Sequence, residues 1–168
     1  MEIMAKNQQL DRAATLIWGV KQSFRNYVEG SGGAIDAGMG AARTEDGAFA
    51  FPAAPGETLT LDADGRPQGR GGFVGEVRFQ AHGGMLSVFL ADPALEIGPT
   101  GAFLTVADSP ERTRRLPLAK LDLAAMSTGD DGELVIAATM SMEGWQVLGD
   151  HYLPMTPLDP VRVKLAVG

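Results

Sequence analysis

The most informative absence in this chain is cysteine, since its 168 residues contain none. Without a thiol, the chain has no disulfides, no thiolate metal ligands and no cysteine nucleophile. Only two histidines, His82 and His151, are present, which excludes a metal site built from several histidines. Familiar motifs are missing too. There is no P-loop and no G-x-S-x-G elbow, and the glycines of GAIDAGMG follow a predicted helix instead of opening one.

Positive charge is also scarce. Lysine and arginine number 14 against 21 aspartates and glutamates, a net charge of −7, whereas a nucleic-acid binder needs a basic face. No apolar run is long enough for a transmembrane helix, and the N-terminus lacks the apolar stretch of a secretory signal. We therefore expect a soluble, cytoplasmic protein that neither binds nucleic acid nor inserts into a membrane. Removal of a signal peptide would instead make it an exported protein.

Glycine and proline are abundant, at 22 and 10 residues, and they separate short segments in which apolar residues alternate. Such alternation is typical of half-buried β-strands. It is found in residues 48–52, 73–80, 85–90, 116–123 and 161–167. We predict a mainly β, single-domain, antiparallel sandwich or barrel-like fold of about nine to eleven short strands with one or two short α-helices. Residues 1–12 are predicted to be a polar lead-in to a domain spanning residues 13–168.

Two details of this prediction concern individual strands. His82 is expected at the turn of a hairpin between the strands at 73–80 and 85–90, because two glycines follow it. Pro117 is expected to mark an edge strand, because proline has no backbone N–H to donate within a sheet.

One segment, WGVKQSFRNYVEG, has helical instead of alternating periodicity. Val20, Phe24 and Val28 recur at intervals of four, which places them on one face of a helix. We predict a helix from about Gly19 to Glu29, ended by the glycines that follow. On an adjoining strip of its surface, Ser23 and Tyr27 are also four residues apart.

Three side chains outside the strands could carry chemistry: Tyr27, His82 and Tyr152. Each also has a purely structural interpretation. A tyrosine on an amphipathic helix commonly buries its ring and leaves its hydroxyl in water. A histidine beside two glycines is typical of a turn, and a tyrosine near prolines can pack against a loop. The residues alone leave these alternatives open.

Three blocks of the sequence add a resemblance. WGVKQSFRNYVEG, FVGEVRFQAHGGMLSVFLADPALEI and YLPMTPLDPVRVKL resemble the corresponding blocks of the HtaA-type haem-binding domain family, in the same order and over residues 15–167. The resemblance implies a β-rich sandwich-like domain with a couple of short helices. It favours a haem carrier over an enzyme, with haem as ligand and another haem carrier or a transporter as partner. Haem uptake, transfer or storage is the implied function.

The resemblance also implies roles for four residues. Tyr27 matches the tyrosine that binds the iron of one b-type haem, and His82 matches the histidine that hydrogen-bonds this tyrosine. Ser23 and Tyr152 match residues associated with the haem propionates. A phenolate suits ferric iron because both are hard, and the histidine helps a phenol of pKa about 10 to ionise. Apolar residues that could cover the porphyrin are Phe24, Val28, Phe49, Phe51, Phe79, Met85 and Phe89.

Two other interpretations stay open. The chain could be a non-haem enzyme or a binder of small apolar ligands that uses the same tyrosine–histidine pocket, since such a pair can exchange protons with a substrate. It could also keep the fold without having an active site.

Overall fold

The computed structural model describes residues 11–56, 59–107, 114–129, 131–148 and 152–167. Most of the predicted lead-in, residues 1–10, lies outside the described residues, as does His151. Among the described residues, neither helix has the length and apolarity needed to cross a membrane. The helices are α1 (Gln22–Gly30) and α2 (Trp145–Leu148). The strands are β1 (Asp11–Trp18), β2 (Ala34–Gly38), β3 (Ala42–Arg43), β4 (Phe49–Pro52), β5 (Thr60–Leu61), β6 (Pro67–Gly72), β7 (Glu76–Ala81), β8 (Leu86–Gly98), β9 (Gly101–Ala107), β10 (Arg115–Thr128), β11 (Leu134–Met140) and β12 (Pro157–Val167).

These twelve strands form one antiparallel sheet, in which β12, β11, β10, β9, β8, β6, β5 and β1 follow one another as neighbours. The sheet closes on itself because β12 also pairs with β1, for example at Ile17 and Arg162. The predicted fold class is confirmed, with one strand more than the upper end of the predicted range. Since the first and last described strands lie side by side, the helix that follows β1 is placed against the chain that enters β12.

The interior of the sheet is filled by the apolar residues whose alternation predicted the strands. Phe49, Phe51, Val77 and Phe79 are all buried, each on the inward face of its strand. The ring centroids of Phe49 and Phe79 lie 5.7 Å apart, and Phe24 of α1 packs on the same Phe79 ring at 5.1 Å. One side of the helix is therefore part of the hydrophobic core, and its other side faces solvent.

The hairpin prediction is also confirmed. β7 and β8 pair from Glu76–Ala91 to Ala81–Leu86, and a 3-10 turn at His82–Gly84 joins them. His82 has a φ of 54°, a left-handed conformation that non-glycine residues seldom adopt. The two glycines that follow share this sign of φ, so the turn consists of three successive left-handed residues.

The prediction that Pro117 marks an edge strand is wrong. Its strand, β10, lies between β9 and β11 inside the sheet. The register of β10 against β9 shifts between Pro117 and Ala119, so the proline lies beside an irregularity in the ladder. A bulge of this kind accommodates a residue without an N–H, which the alternating pattern alone did not reveal.

Helix α1 begins at Gln22, three residues later than predicted. Val20 is buried but lies outside the helix, with a left-handed φ of 66°. The helix ends in a Schellman arrangement, in which Gly33 N–H donates to Val28 O (2.9 Å) and Gly32 N–H to Glu29 O (3.2 Å). Gly32 is the left-handed residue of this cap, with a φ of 77°.

The cap gives a matched pair of glycine substitutions. Gly32→Ala should lower the free energy of unfolding by about 1 kcal/mol, because a Cβ is disfavoured at positive φ. Gly30→Ala should leave it unchanged or raise it by about 0.5 kcal/mol, because Gly30 is helical and alanine favours the helix. A Cβ meets open space at both positions, so packing does not confuse the comparison. Urea denaturation of the two variants measures the difference, and equal effects would contradict the assigned cap.

Candidate functional site

A cleft of about 340 Å³ opens beside α1. Its walls are Phe24 and Tyr27 from the helix, Leu86 from the start of β8, and Tyr152 from the chain before β12. Phe24 and Leu86 are buried, so the floor is apolar, whereas the two tyrosines bring hydroxyl groups to it. A mainly apolar concavity with a few polar groups is the usual form of a small-molecule site, and its volume is at the small end of the range of about 300–1,000 Å³.

Tyr27 and His82 meet at the opening of this cleft. The Tyr27 Oη and His82 Nε2 atoms are 2.6 Å apart, and the two rings are inclined at 60° with centroids 5.6 Å apart. The phenol donates this hydrogen bond when Nε2 carries no proton. Tyr27 is 51% exposed and His82 is also exposed, so both groups can be reached from solvent. The predicted contact between these residues, 55 positions apart in the chain, is therefore present.

A close approach of two backbone segments makes this meeting possible. The chain leaves α1 at Gly33, and a Cβ there would overlap with the carbonyl oxygen of Gln80 at the end of β7. Glycine lets the helix end lie directly against the strand that leads into the His82 turn. Pairing of β2 with β7, from Ala34 with Gln80 onward, then holds the helix end at this level.

Tyr152 lies at the other end of the cleft, against the first turn of α1. Its ring packs edge-on to Phe24, with centroids 6.2 Å apart and planes at 79°, and Lys21 Nζ is 5.7 Å from its centroid. Burial raises the pKa of the Tyr152 phenol above its usual value of 10, and a side-chain hydrogen bond with Ser23 partly opposes this shift. The phenol is therefore neutral and able to donate a hydrogen bond at neutral pH.

The four predicted site residues thus form two pairs along one side of α1, Tyr27 with His82 and Ser23 with Tyr152. Their roles toward a ligand remain predictions. Among the predicted apolar covering residues, only Phe24 lines the cleft. Val28, Phe49, Phe51 and Phe79 are buried in the core, Met85 is 91% exposed, and Phe89 packs under the guanidinium of Arg78. Leu86, which the sequence analysis missed, takes their place.

Comparison with known proteins identifies the group to which this chain belongs. Residues 13–164, nearly the whole chain, match the model of the HtaA family. The chain belongs to the HtaA family. Among curated proteins, no sequence matches the chain.

Solved HtaA-family structures share the fold. The N-terminal domain of HtaA from Corynebacterium glutamicum is 24% identical with a TM-score of 0.71, covering 95% of this chain and 98% of that one. The C-terminal HtaA domain from the same organism is 24% identical with a TM-score of 0.68, covering 94% and 99%. The heme binding protein HtaB, also from C. glutamicum, is 18% identical with a TM-score of 0.63, covering 95% of both chains. The resemblance drawn from the three sequence blocks is confirmed at the level of family and fold.

The environment of Tyr152 in this HtaA-family domain can be tested by titration. The sequence has two tyrosines, so in Tyr27→Phe the phenol of Tyr152 is the sole one to ionise. Its absorbance should titrate above pH 10, and Ser23→Ala should raise the midpoint further by removing the opposing hydrogen bond. Because the pKa is higher in the folded than in the unfolded chain, the free energy of unfolding should fall as the pH rises above about 10.

Asn26→Ala is the control for this titration, since Asn26 is exposed on the same helix. It should leave the midpoint unchanged. A midpoint at or below that of free tyrosine, or a decrease in Ser23→Ala, would show that the phenol is not buried as described.

Proposed function

We propose that this HtaA-family domain binds one b-type haem in the cleft beside α1, with Tyr27 as the iron ligand. The observation that carries the proposal is the 2.6 Å hydrogen bond between Tyr27 Oη and His82 Nε2 at the opening of a mainly apolar cleft. HtaB, a solved relative with this fold, is a heme binding protein, which supports the same ligand here. The proposed role is haem uptake, transfer or storage, with another haem carrier or a transporter as partner.

The residues of the cleft suit a flat, largely apolar macrocycle. Phe24 and Leu86 offer apolar walls, and the half-exposed Tyr27 presents its oxygen at the opening. Binding would be non-covalent, because a sequence without cysteine cannot form thioether links to haem. Among the described residues, no group of three or more histidine, aspartate or glutamate side chains could hold a bare metal ion.

The tyrosine–histidine pair suits ferric iron. When bound, haem supplies a ferric centre, a hard Lewis acid that favours a phenolate oxygen as ligand. Tyr27 must lose its proton to become that ligand, and His82 Nε2 is placed to accept it. The protonated imidazole then donates a hydrogen bond back to the phenolate oxygen and stabilises its charge.

The second pair suits the anionic edge of haem. The Ser23 hydroxyl and the neutral Tyr152 phenol are hydrogen-bond donors in reach of one another at the far end of the cleft. Each can donate to a propionate carboxylate. Lys21 Nζ, beside the Tyr152 ring, adds a positive charge to this end of a protein whose net charge is −7.

Titration with hemin tests the proposal. The wild-type protein should bind one equivalent and shift the Soret band, and the shifted spectrum should be that of a ferric haem with a phenolate ligand. Tyr27→Phe should bind hemin at least about 100-fold more weakly, because it loses the iron ligand itself. His82→Ala should lose about 10- to 100-fold, the range for removal of a partner that orients a metal ligand.

Asn26→Ala serves as the control, since it changes the residue beside Tyr27 without touching the cleft. It should bind hemin as the wild type does. Tyr27→Phe with undiminished affinity would remove Tyr27 as ligand. Absence of any Soret shift in the wild type would reject haem and leave the alternative of a different small ligand in the same cleft.

A further inference from the structure

Helix α1, which carries Tyr27, has no N-cap of its own. The residue at its N-cap position is Lys21, whose side chain makes no capping hydrogen bond. The first helical N–H, that of Gln22, instead donates to Asp159 Oδ1 at 2.9 Å, from a residue 137 positions away. A carboxylate at this position satisfies an otherwise unpaired donor and also interacts favourably with the helix dipole.

The second oxygen of the same carboxylate binds Arg25, on the buried side of the helix. Arg25 Nη1 lies 2.7 Å from Asp159 Oδ2, and it also donates to Gly19 O at 2.8 Å. The Arg25 side chain is 8% exposed and that of Asp159 is 27% exposed. A buried arginine with both a carboxylate and a carbonyl as acceptors is held in one position, because losing either partner leaves charge unpaired away from water.

The backbone of Asp159 completes the contact. Its carbonyl accepts a hydrogen bond from Trp18 Nε1 at 2.7 Å, and its N–H donates to Val20 O at 2.8 Å. Val20 adopts a left-handed conformation, which is unfavourable for a β-branched residue and persists only where its surroundings impose it. A side chain at Gly19 would overlap with both Arg25 and Asp159. We call this set of contacts between Asp159 and residues 18–25 the Asp159 clasp.

We propose that Asp159 is a positioning residue for the haem ligand, acting through α1. Arg25 and Tyr27 are two positions apart, so they project about 200° from each other around the helix. The clasp fixes the buried side of α1, and this sets where Tyr27 emerges on the other side. A rotation of the helix by one residue, about 100°, would carry Tyr27 away from His82. The effect on haem rests on the proposed function, whereas the effect on α1 does not.

The first test uses the protein without haem. In Asp159→Ala, amide hydrogen exchange within residues 22–30 should become at least about tenfold faster, while β8 and β9 keep their protection. Asp159→Asn retains an oxygen that can cap the helix but loses the charge opposite Arg25. The exchange rate of its α1 amides should therefore lie between those of the wild type and Asp159→Ala. Arg25→Lys, which keeps a cation, should disturb α1 less than Arg25→Met. These conservative variants keep the test open if Asp159→Ala fails to fold.

The second test asks whether Asp159 acts through Tyr27. Asp159→Asn should weaken hemin binding at least about tenfold in the wild-type background. In the Tyr27→Phe background, the same change should weaken the residual binding by less than about twofold, because no ligand is left to misplace. Glu96→Gln is the control. It removes the charge from two ion pairs elsewhere, with Arg70 at 3.5 Å and Arg115 at 3.8 Å, and should affect neither α1 exchange nor hemin binding.

Unchanged exchange in α1 would overturn the proposal, as would an equal loss of hemin affinity in both backgrounds, which would indicate general destabilisation. If the wild-type protein binds no hemin, the proposed function fails. In that case, faster exchange confined to α1 in the Asp159 variants would still support the Asp159 clasp. Exchange that becomes equally faster in α1, β8 and β9 would still reject it.

Discussion

The rest of the structure depends on the pairing of the first described strand with the last. β1 and β12 lie side by side in antiparallel register, which closes the sheet and brings Trp18 to Asp159. Closing a chain segment of 141 residues costs entropy before it gains contacts. Local contacts within α1 do not compensate for this cost, because the helix has nine residues and no N-cap of its own. The stability of α1 therefore depends in part on the contacts that Asp159 of β12 makes with it.

The contacts that hold α1 in place are stronger than the contact between Tyr27 and His82 at the cleft. An exposed hydrogen bond such as that of Tyr27 with His82 contributes at most about 0.5–1.5 kcal/mol to stability. Leaving the buried guanidinium of Arg25 without its partly exposed carboxylate costs more, up to about 3–5 kcal/mol. The helix is therefore held by Arg25, Asp159 and its apolar side, not by the pair at the cleft. This division suits a binding site, since the hydrogen bond between Tyr27 and His82 can rearrange when a ligand binds without unfolding the helix that carries Tyr27.

The sequence predicted those features that depend on local pattern. Alternation identified the strands that bury Phe49 and Phe79, and a period of four identified α1. The proximity of Tyr27 and His82 came from the family resemblance alone, because no local pattern encodes a contact across 55 residues. The start of α1 was misplaced for the same reason. Its N-terminus is capped by Asp159, a residue from the other end of the chain, and no Ser, Thr, Asp or Asn stands at residues 18–21 to mark the start locally.

The two tyrosines of the cleft show how one side chain type can serve two purposes. Burial raises the pKa of Tyr152, so this phenol keeps its proton at neutral pH and remains a hydrogen-bond donor. Tyr27 is exposed, and its oxygen lies 2.6 Å from the Nε2 atom of His82. Under the proposed function, the first suits a carboxylate and the second suits ferric iron. Haem carries the iron and the carboxylates on one molecule. The distance between Tyr27 of α1 and Tyr152 must therefore match the distance between these groups. The position of α1 then matters at both ends of the ligand, which is why a residue that sets the helix can affect binding without touching haem.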